Sequence, residues 1–266
     1  MNQNHNPSIE IAGLSHVFAG GAPAISDVTL DVRPYEFVSL VGPSGCGKTT
    51  ILNILAGLIP SQTGTVKVAE SAPKAGRRDV AYMLARDSLL PWRDALGNAS
   101  YGMQVRGVAR APREARARVM LAKVGLASFE RALPKALSHG MRQRVALART
   151  FALDAPLLLM DEPFGALDAQ TKLTLEDQLL QLFQEEQRTV VFVTHDLAEA
   201  VALSDRVVVM SARPGRIVAD VAIDLPRPRS VRALQKDPAF HALYARVWTH
   251  LESGWGGNDI DEVAHG

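Results

Sequence analysis

Residues 37–49 read Phe37-Val38-Ser39-Leu40-Val41-Gly42-Pro43-Ser44-Gly45-Cys46-Gly47-Lys48-Thr49. A largely apolar run enters a glycine-rich turn that ends in a lysine and a hydroxyl, the pattern of a buried strand passing through a tight loop into a helix. The glycines let successive backbone N–H groups turn inward on an anion, and the helix opening near Lys48 adds its positive dipole end. Gly42, Pro43, Ser44, Gly45, Cys46, Gly47, Lys48, Thr49 and Thr50 form the expected phosphate-binding set. Lys48 reaches toward β- and γ-phosphates, and the Thr49 hydroxyl is a ligand for Mg²⁺. The loop predicts a chain that binds a nucleoside triphosphate.

The rest of the sequence must supply a scaffold for this loop. With 266 residues the chain is long enough for a buried core, and its net charge of +1 gives no long-range field toward nucleic acid. No apolar run approaches the ~18 residues of a membrane span. The polar start Met1-Asn2-Gln3-Asn4-His5-Asn6 does not read as a secretory signal, so a soluble, cytoplasmic chain is expected. Cys46 is the single cysteine, which excludes an internal disulfide and a thiolate metal cluster.

Short strands are expected from Ile9 to Val41, and a helix from Thr49 to Leu58 closed by Gly57 and Pro60. The section from about Ala85 to Phe151 reads as mainly helical. Leu157-Leu158-Leu159-Met160, Thr189-Val190-Val191-Phe192-Val193 and Val207-Val208-Val209-Met210 have the continuous apolar character of central parallel strands. Leu175, Leu179, Leu182 and Phe183 between them recur at helical spacing, so strands alternate with helices in an α/β architecture. Phe240, Leu243, Val247 and Leu251 mark a final amphipathic helix.

Asp161 and Glu162 follow the run Leu157 to Met160. A carboxylate there suits Mg²⁺ as a hard oxygen ligand, usually through water, and its neighbour is placed to act on an attacking water as general base. The bland alternative is a solvated strand end.

Leu137-Ser138-His139-Gly140-Met141-Arg142-Gln143-Arg144 resembles the signature of the ATP-binding cassette (ABC) family. Gly165-Ala166-Leu167-Asp168 and Thr194-His195-Asp196 resemble two further motifs of that family, in its order. The resemblance runs from Phe18 to His195. It implies a P-loop NTPase (RecA-like) core with an N-terminal antiparallel β subdomain and an inserted helical subdomain at about 86–150. A single ATPase domain over 8–240 and a C-terminal helix and tail over 241–266 are expected. It also implies ATP and Mg²⁺ as cofactors, and a head-to-tail dimer in which Ser138 and Gly140 of one copy face the γ-phosphate held by the other. His195 is then expected to contact the γ-phosphate and steady Glu162. Phe18 is expected to stack on adenine, a core aromatic being the alternative. Cys46 fits as a P-loop residue with no chemistry of its own, yet a helix start and Lys48 beside it are expected to lower its thiol pKa, with alkylation inhibiting and ATP protecting.

Two positions depart from the family pattern. Ala85 stands where a glutamine belongs, and His139 replaces the first glycine of the signature, either crowding a closed dimer or facing away. Leu89-Leu90-Pro91-Trp92-Arg93, Arg213-Pro214-Gly215-Arg216-Ile217 and Leu225-Pro226-Arg227-Pro228 resemble the nitrate/sulfonate/taurine-type import ATPases. That likeness implies two transmembrane permease subunits, a solute-binding protein, and a place on the cytoplasmic face of the bacterial inner membrane. Trp92 reads as part of a docking patch for the permease, or alternatively as core. Rival readings are a regulatory cassette with low turnover, motivated by Ala85 and His139, and a DNA-repair or translation ATPase. The near-neutral charge gives the latter no nucleic-acid footprint.

Overall fold

The computed structural model describes residues 8–165 and 167–254. The chain begins with β1 (Ile9–Val17), β2 (Pro23–Val32) and β3 (Phe37–Val41), followed by α1 (Lys48–Leu55), β4 (Thr63–Val68) and β5 (Val80–Met83). A helical stretch comes next: α2 (Ala95–Ala99), α3 (Tyr101–Val105), α4 (Arg110–Lys123) and α5 (His139–Ala152). Strand and helix then alternate through β6 (Leu157–Asp161), α6 (Ala169–Glu186), β7 (Thr189–Val193), α7 (Leu197–Leu203) and β8 (Arg206–Met210). The chain closes with β9 (Ile217–Ala222), α8 (Val231–Leu234) and α9 (Pro238–Gly254).

The strands form two sheets. A three-stranded antiparallel sheet has the order β2-β1-β4, and a six-stranded sheet has the order β5-β6-β7-β3-β8-β9. All pairs in the larger sheet are parallel except β8 with β9. Its central strands β3, β6 and β7 are buried at every residue. Because successive side chains point to opposite faces, their continuous apolar runs divide between two cores. Phe37, Leu158, Met160, Val190 and Phe192 join the helices α2 to α9 in one cluster. Val38, Leu40, Leu159, Val191 and Val193 join α1 and the antiparallel sheet in the other. Each fully buried side chain of this size contributes roughly 1.5–3 kcal/mol.

Two boundaries differ from the sequence expectation. The helix after the loop begins one residue earlier, at Lys48, and ends at Leu55 rather than Leu58. Gly57, in the left-handed region at φ +69°, and the chain beyond it leave the helical path. The final helix begins at Pro238, so the boundary expected at 241 falls inside it. Phe240, Val247 and Leu251 bury in the helical-side core, which makes α9 continuous with the domain rather than an appendage. The tail beyond 254 and Ala166, within the Gly165 to Asp168 motif, lie outside the described residues.

Candidate active site

The carboxyl ends of β3, β7 and β6 lie side by side. Val193 pairs with Leu40 on one flank and Asp161 on the other, so three chain ends finish in one row. In an open α/β sheet this edge is where ligands bind. Past it run the glycine-rich loop after β3, Glu162 after β6, and Thr194-His195-Asp196 after β7. The glycine-rich loop and Glu162 face a cleft of about 300 Å³ lined by Phe18, Ala24, Ser44, Gly45, Gly47, Lys48, Thr49, Thr50, Glu162 and Arg213, and His195 meets it through Glu162.

The loop has the form that anion binding requires. Gly47 sits at φ +97°, and a Cβ there would stand 2.2 Å from the Ile25 side chain, so only glycine lets the loop close onto β2. The Lys48 ammonium, 6% exposed, donates to the Gly42 carbonyl (2.8 Å) and the Pro43 carbonyl (3.0 Å). It is thus buried at the loop with dipolar partners and, among the described residues, no carboxylate bonded to it, an arrangement a phosphate oxygen would complete. The Cys46 sulfur lies 3.7 Å from Lys48 Nζ and is fully buried. Burial pushes the thiol above its ordinary value and outweighs the nearby lysine. The sequence expectation of a lowered, reactive thiol is therefore corrected: desolvation wins over the charge.

The acidic pair separates into two environments. Asp161 is 8% exposed, and its Oδ1 accepts from the Thr49 hydroxyl at 3.0 Å. Burial raises its pKa, against the opposing Thr49 hydrogen bond, which marks a carboxylate short of positive charge. A hydroxyl and a buried carboxylate in contact fit Mg²⁺, which keeps several waters and takes one or two protein ligands beside substrate phosphates. No cluster of three or more His, Cys, Asp or Glu side chains suited to a metal occurs among the described residues, so an all-protein cage is not on offer.

Glu162 instead faces the cleft, and its Oε2 is 3.2 Å from His195 Nδ1. Its backbone takes φ +42°, unusual for a residue with a side chain, and its N–H donates to the Val193 carbonyl at 2.9 Å. Such strain persists only where surrounding structure holds it. The loop carrying His195 is braced from behind. Lys172 on α6 bridges Asp196 (2.6 Å) and Glu199 (2.5 Å), and Thr194 donates its hydroxyl to Glu199. Although burial alone would raise it, the Asp196 carboxyl is held below its ordinary value, mainly by the Lys172 hydrogen bond.

Phe18 is 45% exposed and lines the cleft, which sets aside its alternative as a core aromatic. Ser138 and Gly140 do not line this cleft. Ser138 caps α5 by accepting from the Met141 N–H at 3.3 Å, and Gly140 is the second residue of that helix. His139 turns its Nδ1 toward Arg142 Nη2 (3.2 Å) and Asp87 (4.0 Å). Arg142 bonds Asp87 at 2.9 Å, and Arg149 donates to the carbonyls of Asp87 (2.7 Å) and Ser88 (2.9 Å). The segment after the exposed Ala85 is thereby clamped to α5. Trp92 is 74% exposed and so is no part of the core, whereas Leu89 packs against it.

Two contributors were missed in the sequence. Buried Gln143 donates to the Pro163 carbonyl at 2.6 Å, tying α5 to the residue after Glu162. Arg213 reaches the cleft from the turn between β8 and β9. No local spacing announces either contact, because both are made by tertiary folding.

An ABC transporter family model matches residues 25–165. The chain belongs to this family and is an ATP-hydrolysing cassette with the P-loop NTPase fold. Among its relatives, the uncharacterized ABC transporter ATP-binding protein MJ0412 of Methanocaldococcus jannaschii is 44% identical over 230 residues, 85% of this chain and 86% of that one. The taurine import ATP-binding protein TauB of Escherichia coli (strain K12) is 39% identical over 244 residues, 90% of this chain and 96% of that one. A dimeric structure of the ATP-binding cassette MJ0796 in a post-hydrolysis state bound to ADP and Pi superposes with a TM-score of 0.72 at 29% identity, covering 82% of this chain and 100% of that one.

Proposed function

We propose that this chain is the ATP-hydrolysing subunit of a bacterial importer for a small solute of the nitrate, sulfonate or taurine class. It would work as a head-to-tail homodimer on two transmembrane permease subunits served by a solute-binding protein, at the cytoplasmic face of the inner membrane. The observation that carries the catalytic half of this reading is the Glu162–His195 contact at the mouth of the cleft beside Lys48. Likeness to TauB, an import ATP-binding protein, supports the solute class and a membrane permease as partner. The exposed indole of Trp92 offers that permease an apolar contact.

In this reading the P-loop amides and Lys48 hold the β- and γ-phosphates. Phe18 stacks on the adenine. Thr49 and Asp161 would hold Mg²⁺, which would supply positive charge beside the phosphates. Glu162 takes the proton of the attacking water, and His195 keeps its carboxylate aimed while facing the γ-phosphate. Ser138 and the Gly140 N–H enter from the second copy, so charge stabilisation is complete only when the dimer closes. The MJ0796 relative is dimeric, which supports this arrangement.

The test is steady-state ATP hydrolysis by the purified chain over a range of protein concentrations, with Glu162→Gln as control. Turnover that rises more than linearly with protein and is lost in Glu162→Gln is the expected result. Hydrolysis that is linear in protein would overturn the dimeric site, and unchanged turnover in Glu162→Gln would overturn the role of that carboxylate.

A further inference from the structure

The turn between β8 and β9 is built as a wall of the nucleotide cleft. Gly215 lies so close to the P-loop that a Cβ there would stand 1.9 Å from the Cys46 carbonyl oxygen. Its N–H donates to the Ala24 carbonyl at 2.9 Å, and its own carbonyl accepts from the Ser26 N–H at 3.0 Å. The turn is thereby stitched to the start of β2, the strand that also closes over Gly47. Two residues before Gly215, Arg213 donates from Nε to the Pro23 carbonyl (3.1 Å) and from Nη2 to the Ala22 carbonyl (3.2 Å).

These two bonds fix the plane of the guanidinium on the wall that carries Phe18 and Ala24, and all three residues line the same cleft. No carboxylate pairs with Arg213 among the described residues, and neither carbonyl bond uses Nη1. A planar cation held by two carbonyls, lining the same cleft as an exposed aromatic ring, is a surface for a flat π-system with polar edges. An arginine fork stacks on such systems and donates from its rim. The phosphates are already provided for at the P-loop and Lys48.

We infer that Arg213 is a nucleotide-recognition residue that holds the purine and ribose of ATP against Phe18. The inference rests on the ATP site proposed above. It gives a role to the Arg213-Pro214-Gly215 stretch: the glycine lets the turn lie on the P-loop, and the arginine reaches the base.

Equilibrium titration of the full chain with Mg-ATP and, separately, with Mg²⁺ and inorganic tripolyphosphate separates the two ends of the site. Arg213→Ala is expected to weaken ATP binding about tenfold, the size of one good cation–π or stacking contact. Tripolyphosphate binding should stay within about twofold of wild type, which also reports an intact P-loop. Arg213→Lys, keeping the charge but not the fork, should recover only part of the ATP affinity. Equal ATP affinity in Arg213→Ala and wild type would overturn the assignment of Arg213 alone, as would a parallel loss of tripolyphosphate in a variant that keeps the wild-type melting temperature. Failure of the wild-type chain to bind either ligand would overturn the nucleotide site and this inference with it.

Discussion

Glu162 Oε2 and His195 Nδ1 stand 3.2 Å apart although 33 residues separate them in the chain. The two side chains come from the ends of neighbouring strands β6 and β7, and each is held from behind. A left-handed backbone and a bond to Val193 hold Glu162. The Lys172 bridge to Asp196 and Glu199 holds the loop of His195. The proposed catalytic geometry is therefore a property of the sheet edge, and the pair should behave as a unit.

Glu162→Gln is expected to lower ATP turnover by about 10²–10⁴-fold, the usual worth of a positioned general base, with ATP binding retained. His195→Ala should give a smaller loss alone and almost none in the Glu162→Gln background, because residues acting together are not additive. Single-turnover hydrolysis of the four proteins measures this. Fully additive losses would show that His195 acts independently of Glu162.

Thr49 and Asp161 touch at 3.0 Å in a site where burial disfavours the charged carboxylate. A cation there would relieve that cost. Asp161→Asn is expected to raise the Mg²⁺ concentration needed for half-maximal hydrolysis roughly 10- to 100-fold, as for other partners of a bound ion. A Mg²⁺ titration of activity at fixed ATP reads this directly, and an unchanged requirement would remove Asp161 from the metal site.

Cys46 is fully buried, its thiol raised by that burial. A maleimide or iodoacetamide should label the native chain slowly at pH 7 and quickly once it is unfolded. Cys46→Ala should bind ATP within a few-fold of wild type, since the phosphate contacts there are backbone groups. Mass spectrometry of timed labelling checks the first statement. Fast native labelling suppressed by ATP would restore the reactive thiol that the sequence suggested.

The contrast between Cys46 and its own loop shows what a sequence can and cannot reveal. The P-loop is legible because all of its chemistry is consecutive: backbone N–H groups, one lysine and one hydroxyl. The central strands are equally legible, since residues buried on both faces must all be apolar, and Leu157 to Met160 and Val190 to Val193 are. Asp161, Glu162 and His195 could be placed because each follows such a strand directly. Burial of Cys46 could not, because it depends on Met210 and Gly215, more than 160 residues away. Arg213 was invisible for the same reason. The contacts of His139 with Arg142 and Asp87 were not legible either, since folding brings Asp87 to α5.

Glu176 on α6 is 3% exposed, and its carboxyl is pushed up from the ordinary 4.5 to about 8 by burial, then by the nearby Glu199. An acid whose folded pKa is raised binds more protons folded than unfolded between those two values, so stability falls as pH rises from 4.5 to about 8. Glu176→Gln should flatten that decline and raise stability at pH 8 by on the order of a few kcal/mol. Melting temperatures of both proteins from pH 5 to 9, compared as a difference, isolate this group from the others. Parallel curves would show that Glu176 is charged at neutral pH in the folded chain.

Trp92 and Leu89 lie three residues apart in one segment but face opposite ways: the indole is 74% exposed, while the leucine packs on the helical-side core. Folding therefore has no use for the tryptophan, whereas the proposed permease would. Trp92→Ala should change stability by less than about 0.5 kcal/mol, as surface substitutions do, and leave the ATPase activity of the isolated chain intact. Leu89→Ala should cost about 1 kcal/mol, because this partly buried leucine loses its packing on the core. In membranes carrying the permease, Trp92→Ala should lower the amount of chain retained after washing, with its melting temperature unchanged. Retention equal to wild type would mean that the indole is not a docking contact.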